Sequence, residues 1–184
     1  MIEAELKARV RDRAGLHEQL RRLATAEHST YRDTYYDHPD RDLTAAGREL
    51  RLRIVETSGQ RRSLLTYKEA AVDAASGSKP EHETGIEDPS AIDVLLRGLG
   101  LEHLVAFEKH CTNYGFCAEG REMLATVVTV PELEGTFIEL ETMTDEGGTS
   151  AALSGIRAVL TRLGITDDDL TTEQYTDAVL RSRK

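Results

Sequence analysis

Apolar and polar positions alternate strictly where the chain begins. In IEAELKARV (residues 2–10) Ala4, Leu6 and Ala8 fall on one side and Glu3, Glu5 and Lys7 on the other, the period of a strand with two different faces. Asp12 then stands where a helix cap belongs, and Leu16, Leu20 and Leu23 follow as a one-sided stripe. TYRDTYYD (30–37) is rich in Thr and Tyr and predicts a strand, and HPDRDLTAAG (38–47) a polar connection with a tight turn. RELRLRIVE (48–56) alternates again, with Leu50, Leu52 and Ile54 opposite Arg51 and Arg53. SLLTYKEA (63–70) and HETGIED (82–88) predict further strands on either side of AVDAASGSKP (71–80), whose small residues predict a mobile loop. Asp88, Pro89 and the Gly98/Gly100 pair punctuate a helix. Three more strands follow, VAFEKHCTNYGF (105–116), MLATVVTV (123–130) and TFIELETM (136–143). The helix over 149–165 has Leu153, Ile156, Leu160 and Leu163 on one side, and a last helix over 171–182 has Thr171 and Gln174 at capping-box spacing. Roughly eight short strands, several of them consecutive, and about four helices argue for an α+β fold with a mostly antiparallel sheet. The helices' apolar stripes need apolar sheet faces to cover.

The charged faces are what remains. Glu3 and Glu5 share a face, as do Glu139 and Glu141, while the bases sit apart as Lys7, Arg51/Arg53, Lys68 and Lys109. One arrangement is an open sheet whose wet face carries cross-strand ion pairs. The other is a sheet curled into a barrel with a charged lumen, which also removes exposed edges. The segregation of residue types favours the second. Carboxylate pairs converging from two strands suit a hard divalent cation, and Arg and Lys suit phosphate oxygens. Together they form a general recipe for phosphoryl or nucleotidyl chemistry.

Composition narrows the partners. The 184 residues are enough for one substantial core, so a single domain over 1–184 is expected. Asp and Glu number 33 against 23 Lys and Arg, a formal net charge of −10, which argues against nucleic acid as a partner. No apolar run reaches membrane-spanning length and the N-terminal residues lack a signal-peptide pattern, so neither a membrane nor export is expected. Cys111 and Cys117 lie six apart without a further Cys and read as cytoplasmic thiols. The absence of Cys-x-x-Cys and the scatter of six His argue against zinc.

EAELK (3–7) resembles the Glu-x-Glu-x-Lys signature of the CYTH superfamily, the triphosphate tunnel metalloenzymes. The resemblance continues in order through DTYYDHPDRDL, LRLRIV, TYKEA, FEKHCTNY, GTFIELE and EQYTDAVL, and its form is most similar to the class IV adenylyl cyclase-like branch. It implies an antiparallel eight-stranded closed β-barrel, a tunnel buttressed by helices, that binds a triphosphate together with Mg²⁺ or Mn²⁺. Carried over by position, Glu3, Glu5, Glu139 and Glu141 are the implied metal carboxylates, with Glu5, Glu139 and Lys7 at the reacting centre. Lys7, Arg51, Arg53, Lys68 and Lys109 are the implied phosphate ligands. Lys79, Glu81 and Glu83 match the family pattern more loosely, and the loop before them resembles one that closes over substrate. The implied activity is conversion of ATP to cyclic AMP and pyrophosphate. The alternatives are a triphosphatase, including a thiamine triphosphatase, an enzyme retuned to another phosphate or diphosphate ester, and a module that binds a nucleotide or polyphosphate without turning it over. The implied partner is a small phosphate ester or nucleoside triphosphate, and a homodimer would be in keeping with the family.

Two positions depart from the pattern. Cys111 stands where the family has a phosphate-binding Arg, and Val128 is the nearest equivalent of a lumen Asp, with Thr129 or Glu132 as the residues an extra hairpin position would shift into its place. A thiol grips phosphate poorly and Val cannot ligate a metal. His110 points to the opposite face of the strand from Cys111, so no positioned base marks Cys111 as a nucleophile. The tyrosines of 30–37 read as core residues, although Tyr36 and Tyr175 lie where they can approach the site. Arg21 and Arg22 read as the solvated face of a helix.

Overall fold

A computed structural model describes residues 1–72 and 77–184. Residues 73–76, inside the segment expected to be a mobile loop, lie outside the described residues. The elements run β1 (Ile2–Arg9), α1 (Arg13–Arg21), β2 (Glu27–Asp37), α2 (Asp42–Ala45), β3 (Glu49–Thr57), β4 (Gln60–Lys68), β5 (Lys79–Ile86), α3 (Pro89–Gly98), β6 (Glu102–Ala118), β7 (Arg121–Thr129), β8 (Phe137–Thr144), α4 (Thr149–Arg162) and α5 (Tyr175–Ser182).

The strands form a closed barrel in the order β1-β5-β4-β3-β2-β6-β7-β8, antiparallel throughout. Closure is unequal around the ring. β1 pairs with β8 from Ile2↔Thr144 to Arg9↔Phe137, whereas its seam with β5 holds only Ile2↔Pro80 and Glu3↔Lys79. Pro80 lies at this short seam, where few ladder bonds are made.

Period-two alternation divides each strand between lumen and exterior. The exterior faces of β1, β7 and β8 carry Ala4, Leu6, Ala8, Ala125, Val127, Ile138 and Leu140, on which Leu16 and Leu20 of α1 and Ile156, Val159 and Leu160 of α4 pack as one core. A second cluster joins lumen-side residues of β2, β3, β6, β7 and β8 to Tyr175 and Val179 of α5. The helix punctuation holds: the Asp12 carboxylate accepts from the Gly15 amide at 3.0 Å, and that of Asp88 from Ser90 and Ala91 at 2.9 and 3.0 Å.

Four local expectations fail for identifiable reasons. Leu23 is exposed because α1 ends at Arg21, before the stripe reaches it. Residues 38–47 do more than turn: buried Asp37 accepts from the amides of His38, Leu43 and Thr44 at 2.7, 3.0 and 3.0 Å, and these bonds hold the short α2 in place. No side-chain cap starts α5, because Thr171 is otherwise engaged: its amide donates to the Lys7 carbonyl and its hydroxyl accepts from Glu173. Finally, α3 buries none of its residues and leaves Val94, Leu95 and Leu99 exposed. Polar bonds tether it instead, with Asp93 accepting from the Tyr36 hydroxyl at 2.8 Å and contacting His103.

Leu140 is fully buried between barrel and helices. Leu140→Ala is expected to cost about 2–5 kcal/mol, read as a lower urea midpoint with an unchanged slope.

Candidate functional site

Strand register sets the content of the lumen. On β1 and β8, Lys7 stands opposite Glu139 and Glu5 opposite Glu141. On β3, Arg53 stands opposite Asp33 and Leu64, Arg51 opposite Tyr35 and Thr66, and Glu49 opposite Lys68. Lys68 and Thr66 of β4 face Glu81 and Glu83 of β5, and Lys109 of β6 faces Tyr31. One cavity of about 820 Å³ is lined by Glu3, Glu5, Lys7, Arg51, Arg53, Lys68, Lys109, Glu139 and Glu141, and by Lys79, Glu81 and Glu83 as well. The residues singled out from the sequence therefore share one chamber.

The carboxylates divide into two groups. Glu3, Glu5 and Glu141 each offer an oxygen within 4.8 Å of the others. Burial pushes Glu5 up, and the charges of Glu139 and Glu3 push it further, to about 8. Burial, then Glu3 and Glu5, push Glu141 well above the usual carboxylate range. Burial also opposes ionisation of Glu3, but Lys68, whose ammonium lies 2.6 Å away, outweighs it and holds Glu3 low. Lys68 is shared with Glu81 at 2.8 Å. The triad is thus a set of hard oxygen donors short of positive charge, and it fits a divalent cation such as Mg²⁺ or Mn²⁺. Glu139 stands apart from it. Burial raises its cost of ionising, but Lys109, at 3.4 Å, and Lys7 keep it low.

The cations are held by partners of unequal strength. Arg53 makes a two-pronged pair with buried Asp33, both contacts at 2.7 Å. Burial works against Asp33, yet Arg53 depresses its pKa far below the ordinary value. Lys79 pairs with Glu49. The Arg51 guanidinium donates to the Thr66 hydroxyl at 3.3 Å and lies 3.9 Å from Glu83, and its buried Nε has no hydrogen-bond partner among the described residues. Lys7 donates to the Glu173 carbonyl, and burial lowers its pKa despite Glu139 and Glu5. The Tyr175 ring lies 4.5 Å from the Lys7 ammonium and 4.3 Å from that of Lys109, in cation–π contact with both. Tyr36 instead points out to α3, so only Tyr175 of the two approaches the chamber.

Sequence reasoning missed Glu49 and the 171–174 segment as parts of this wall, and Asp33 as the buried partner of Arg53. Asp33 was legible, since it alternates with Tyr31 and Tyr35 and all three share a face. The 171–174 segment carried no periodic signal, and only the tertiary path brings it to Lys7.

The two departures meet. Cys111 and Val128 are direct cross-strand partners on β6 and β7, buried with Tyr31, Val55 and Phe137. Thr129 pairs with His110 on the other face, and Glu132 lies outside, paired with Arg183 at 2.6 Å, so neither takes the place of Val128. Burial pushes the Cys111 thiol up to about 12, leaving it protonated and non-nucleophilic near neutrality.

A family model described as CYTH domain matches residues 1–175. A Methanocaldococcus jannaschii protein named "Putative adenylate cyclase" is 27% identical over 178 residues, covering 95% of this chain and 97% of its own length. Among solved structures, the PH1819 protein of Pyrococcus horikoshii superposes with a TM-score of 0.84 at 28% identity, covering 98% of this chain and 99% of that one. The Hippeastrum protein HpAC1, described as having a dominant triphosphatase activity, shares the fold with a TM-score of 0.67 at 20% identity, over 100% of this chain and 97% of its own.

Two substitutions probe this electrostatic arrangement. Asp33→Asn strands the Arg53 charge and is expected to cost about 3–5 kcal/mol at neutral pH. Because folding depresses the pKa of Asp33, the stability it contributes is complete above its ordinary value of 3.8 and is lost as pH falls below it. Urea unfolding of the wild type should therefore show a steeper loss in acid than the Asn variant. For Cys111 and Val128, Cys111→Arg and Val128→Asp should each destabilise alone. Combined, they should cost less than their sum by about 0.5–3 kcal/mol in a double-mutant cycle.

Proposed function

The chain belongs to the CYTH domain family, and from that membership together with the lumen geometry we propose that the protein is a metal-dependent enzyme that converts a nucleoside triphosphate to a cyclic nucleotide and pyrophosphate. The observation that carries the reading is the convergence of Glu3, Glu5 and Glu141 on one wall of a chamber whose other walls present Lys7, Arg51, Arg53, Lys68 and Lys109. The relative of matching length named as an adenylate cyclase supports ATP as the substrate.

Glu3, Glu5 and Glu141 would hold the metal, with Glu139, paired to Lys109, elsewhere on the chamber wall. A divalent cation bound there supplies charge neutralisation at the phosphate oxygens and a lowered pKa for a coordinated hydroxyl. Arg51 uses its unpartnered Nε and its fork to grip the polyphosphate, and Lys68 and Lys109 bind as point charges. Lys7, whose pKa burial lowers, lies against Glu139 in register and can pass a proton at its Nζ. Arg53 is neutralised by Asp33, so its role is to fix the wall and present its remaining donors. Tyr31, Tyr35, Val55 and Leu64 add apolar surface to the otherwise charged chamber wall. A second reading, hydrolysis of a triphosphate, uses the same clamp with water as nucleophile. It is favoured by the triphosphatase activity described for the Hippeastrum protein of the same fold.

Phosphorus NMR of products from ATP, inorganic triphosphate and thiamine triphosphate, each with Mg²⁺ or Mn²⁺, separates these readings. Cyclic AMP with pyrophosphate establishes the cyclase and orthophosphate the triphosphatase, while no product from any of the three overturns both. Glu5→Gln and Glu141→Gln are each expected to lower metal-dependent turnover by about 100-fold or more, given that even outer-shell partners of a metal are worth 10–100-fold.

A further inference from the structure

A second cavity, of about 580 Å³, is bounded by α1, the start of β2, the end of β3 and the middle of β6, and its lining includes none of Glu3, Glu5 and Glu141. Its lining carries Arg13, Arg21 and three histidines against a single acid, Glu56, in a chain whose net charge is −10. Arg13, His17 and Arg21 stand at i, i+4 and i+8 on α1, which stacks them along one helix face. His28 of β2 and His110 of β6 also line it, together with Ser29, Cys111, Glu56 and several threonines.

Local energetics do not favour this arrangement. Arg13 in the first turn opposes the helix dipole. α1 has no acidic residue in its first turn to offset it. Its acid Glu18 is taken by Arg22 at 2.5 Å, and Arg21 and Arg22 are both exposed, as expected for the solvated face of a helix, with Arg21 at the rim of this cavity. Neither Arg13 nor Arg21 makes an ion pair among the described residues. The acids nearby are occupied. Glu56, on the cavity wall, is bound by Arg32 at 2.7 Å and approached by Arg61 at 3.9 Å, and Glu108 is bound by Arg32 at 3.0 Å and by His110. His17 shows the resulting imbalance: burial lowers its pKa, and Arg13, Arg21 and His28 lower it further. Tyr114 fixes the ring through Nδ1 at 2.8 Å, and His28 is likewise fixed by Thr112 at 3.2 Å.

We propose that this cavity is a binding site for a small phosphate-bearing anion, separate from the lumen, with the Arg13 and Arg21 guanidinium groups as its main ligands and His17 and His28 as supporting donors. Two guanidinium groups give the paired donors that phosphate oxygens accept. The bound anion gives the Arg13 and Arg21 charges a partner, since Asp12 is engaged with the Gly15 amide, Glu18 with Arg22 and Glu56 with Arg32. The proposal stands on this cavity alone and does not depend on what the lumen catalyses.

The test is an NMR titration of the full chain with inorganic phosphate, without divalent metal, following the imidazole resonances, with His17→Gln used for assignment. A saturable shift of the His17 signal at roughly millimolar phosphate is expected, accompanied by a rise in its titration midpoint as the anion offsets Arg13 and Arg21. Arg13→Ala/Arg21→Ala should weaken the apparent affinity about tenfold or more. Arg51→Ala/Lys68→Ala, which disables the lumen, should leave it unchanged. The proposal is overturned by the absence of a saturable His17 shift, by a shift that persists at equal affinity without the two arginines, or by a shift that vanishes in the lumen variant.

Discussion

A barrel that turns its charged faces inward must find an opposite charge for each of them, because the interior offers little water. That constraint governs the rest of this structure. Lys68 lies between Glu3 and Glu81, Arg53 is locked to Asp33, Lys79 to Glu49, and Lys109 leans on Glu139. Such pairs return little net stability, since desolvation consumes most of their attraction. The apolar work is done outside the barrel, where α1 and α4 close over β1, β7 and β8. The fold thus separates its labours: helices and outer faces hold the molecule together, and the lumen is free to be electrostatically demanding.

Where pairing fails is where chemistry is expected. Among the described residues Glu5 and Glu141 make no ion pair of their own, and burial with neighbouring carboxylates drives both upward. Arg51 retains a buried donor, its Nε, without an acceptor among the described residues. One deficit calls for a cation and the other for an anion, and both face the same chamber. Where the family resemblance implies an Arg and an Asp, this chain sets Cys111 against Val128, two uncharged residues paired across β6 and β7. Exchanging both members keeps the count of opposite charges balanced, where losing only one would have buried an unpaired ion. Tyr175 sets its ring against Lys7 and Lys109 on one side and Phe137 on the other.

Much of this was legible in the residue pattern because a strand's period is simple. Alternation in 2–10, 48–56 and 136–143 assigned the charged residues to one face, and the closed barrel implied by the family resemblance brought those faces together. What alternation cannot give is the partner across the lumen. That Arg53 would meet Asp33, or that Glu3, Glu5 and Glu141 would gather while Glu139 turned to Lys109, depends on register and shear. The approach of residues 171–174 to Lys7 was invisible for another reason: the contact is a main-chain carbonyl, and carbonyls carry no side-chain signature. The helix α3 misled in the opposite direction, because its apolar residues predicted a covered face and its attachment proved to be the polar one through Asp93.

The central claim, that the carboxylate triad is a metal centre, is tested most directly by the electron paramagnetic resonance of Mn²⁺ titrated into the protein. A saturable bound signal in the wild type that is lost in Glu141→Gln, with the barrel intact by circular dichroism, is the predicted result. Equal Mn²⁺ binding by the two proteins would show that the three carboxylates gather for another reason.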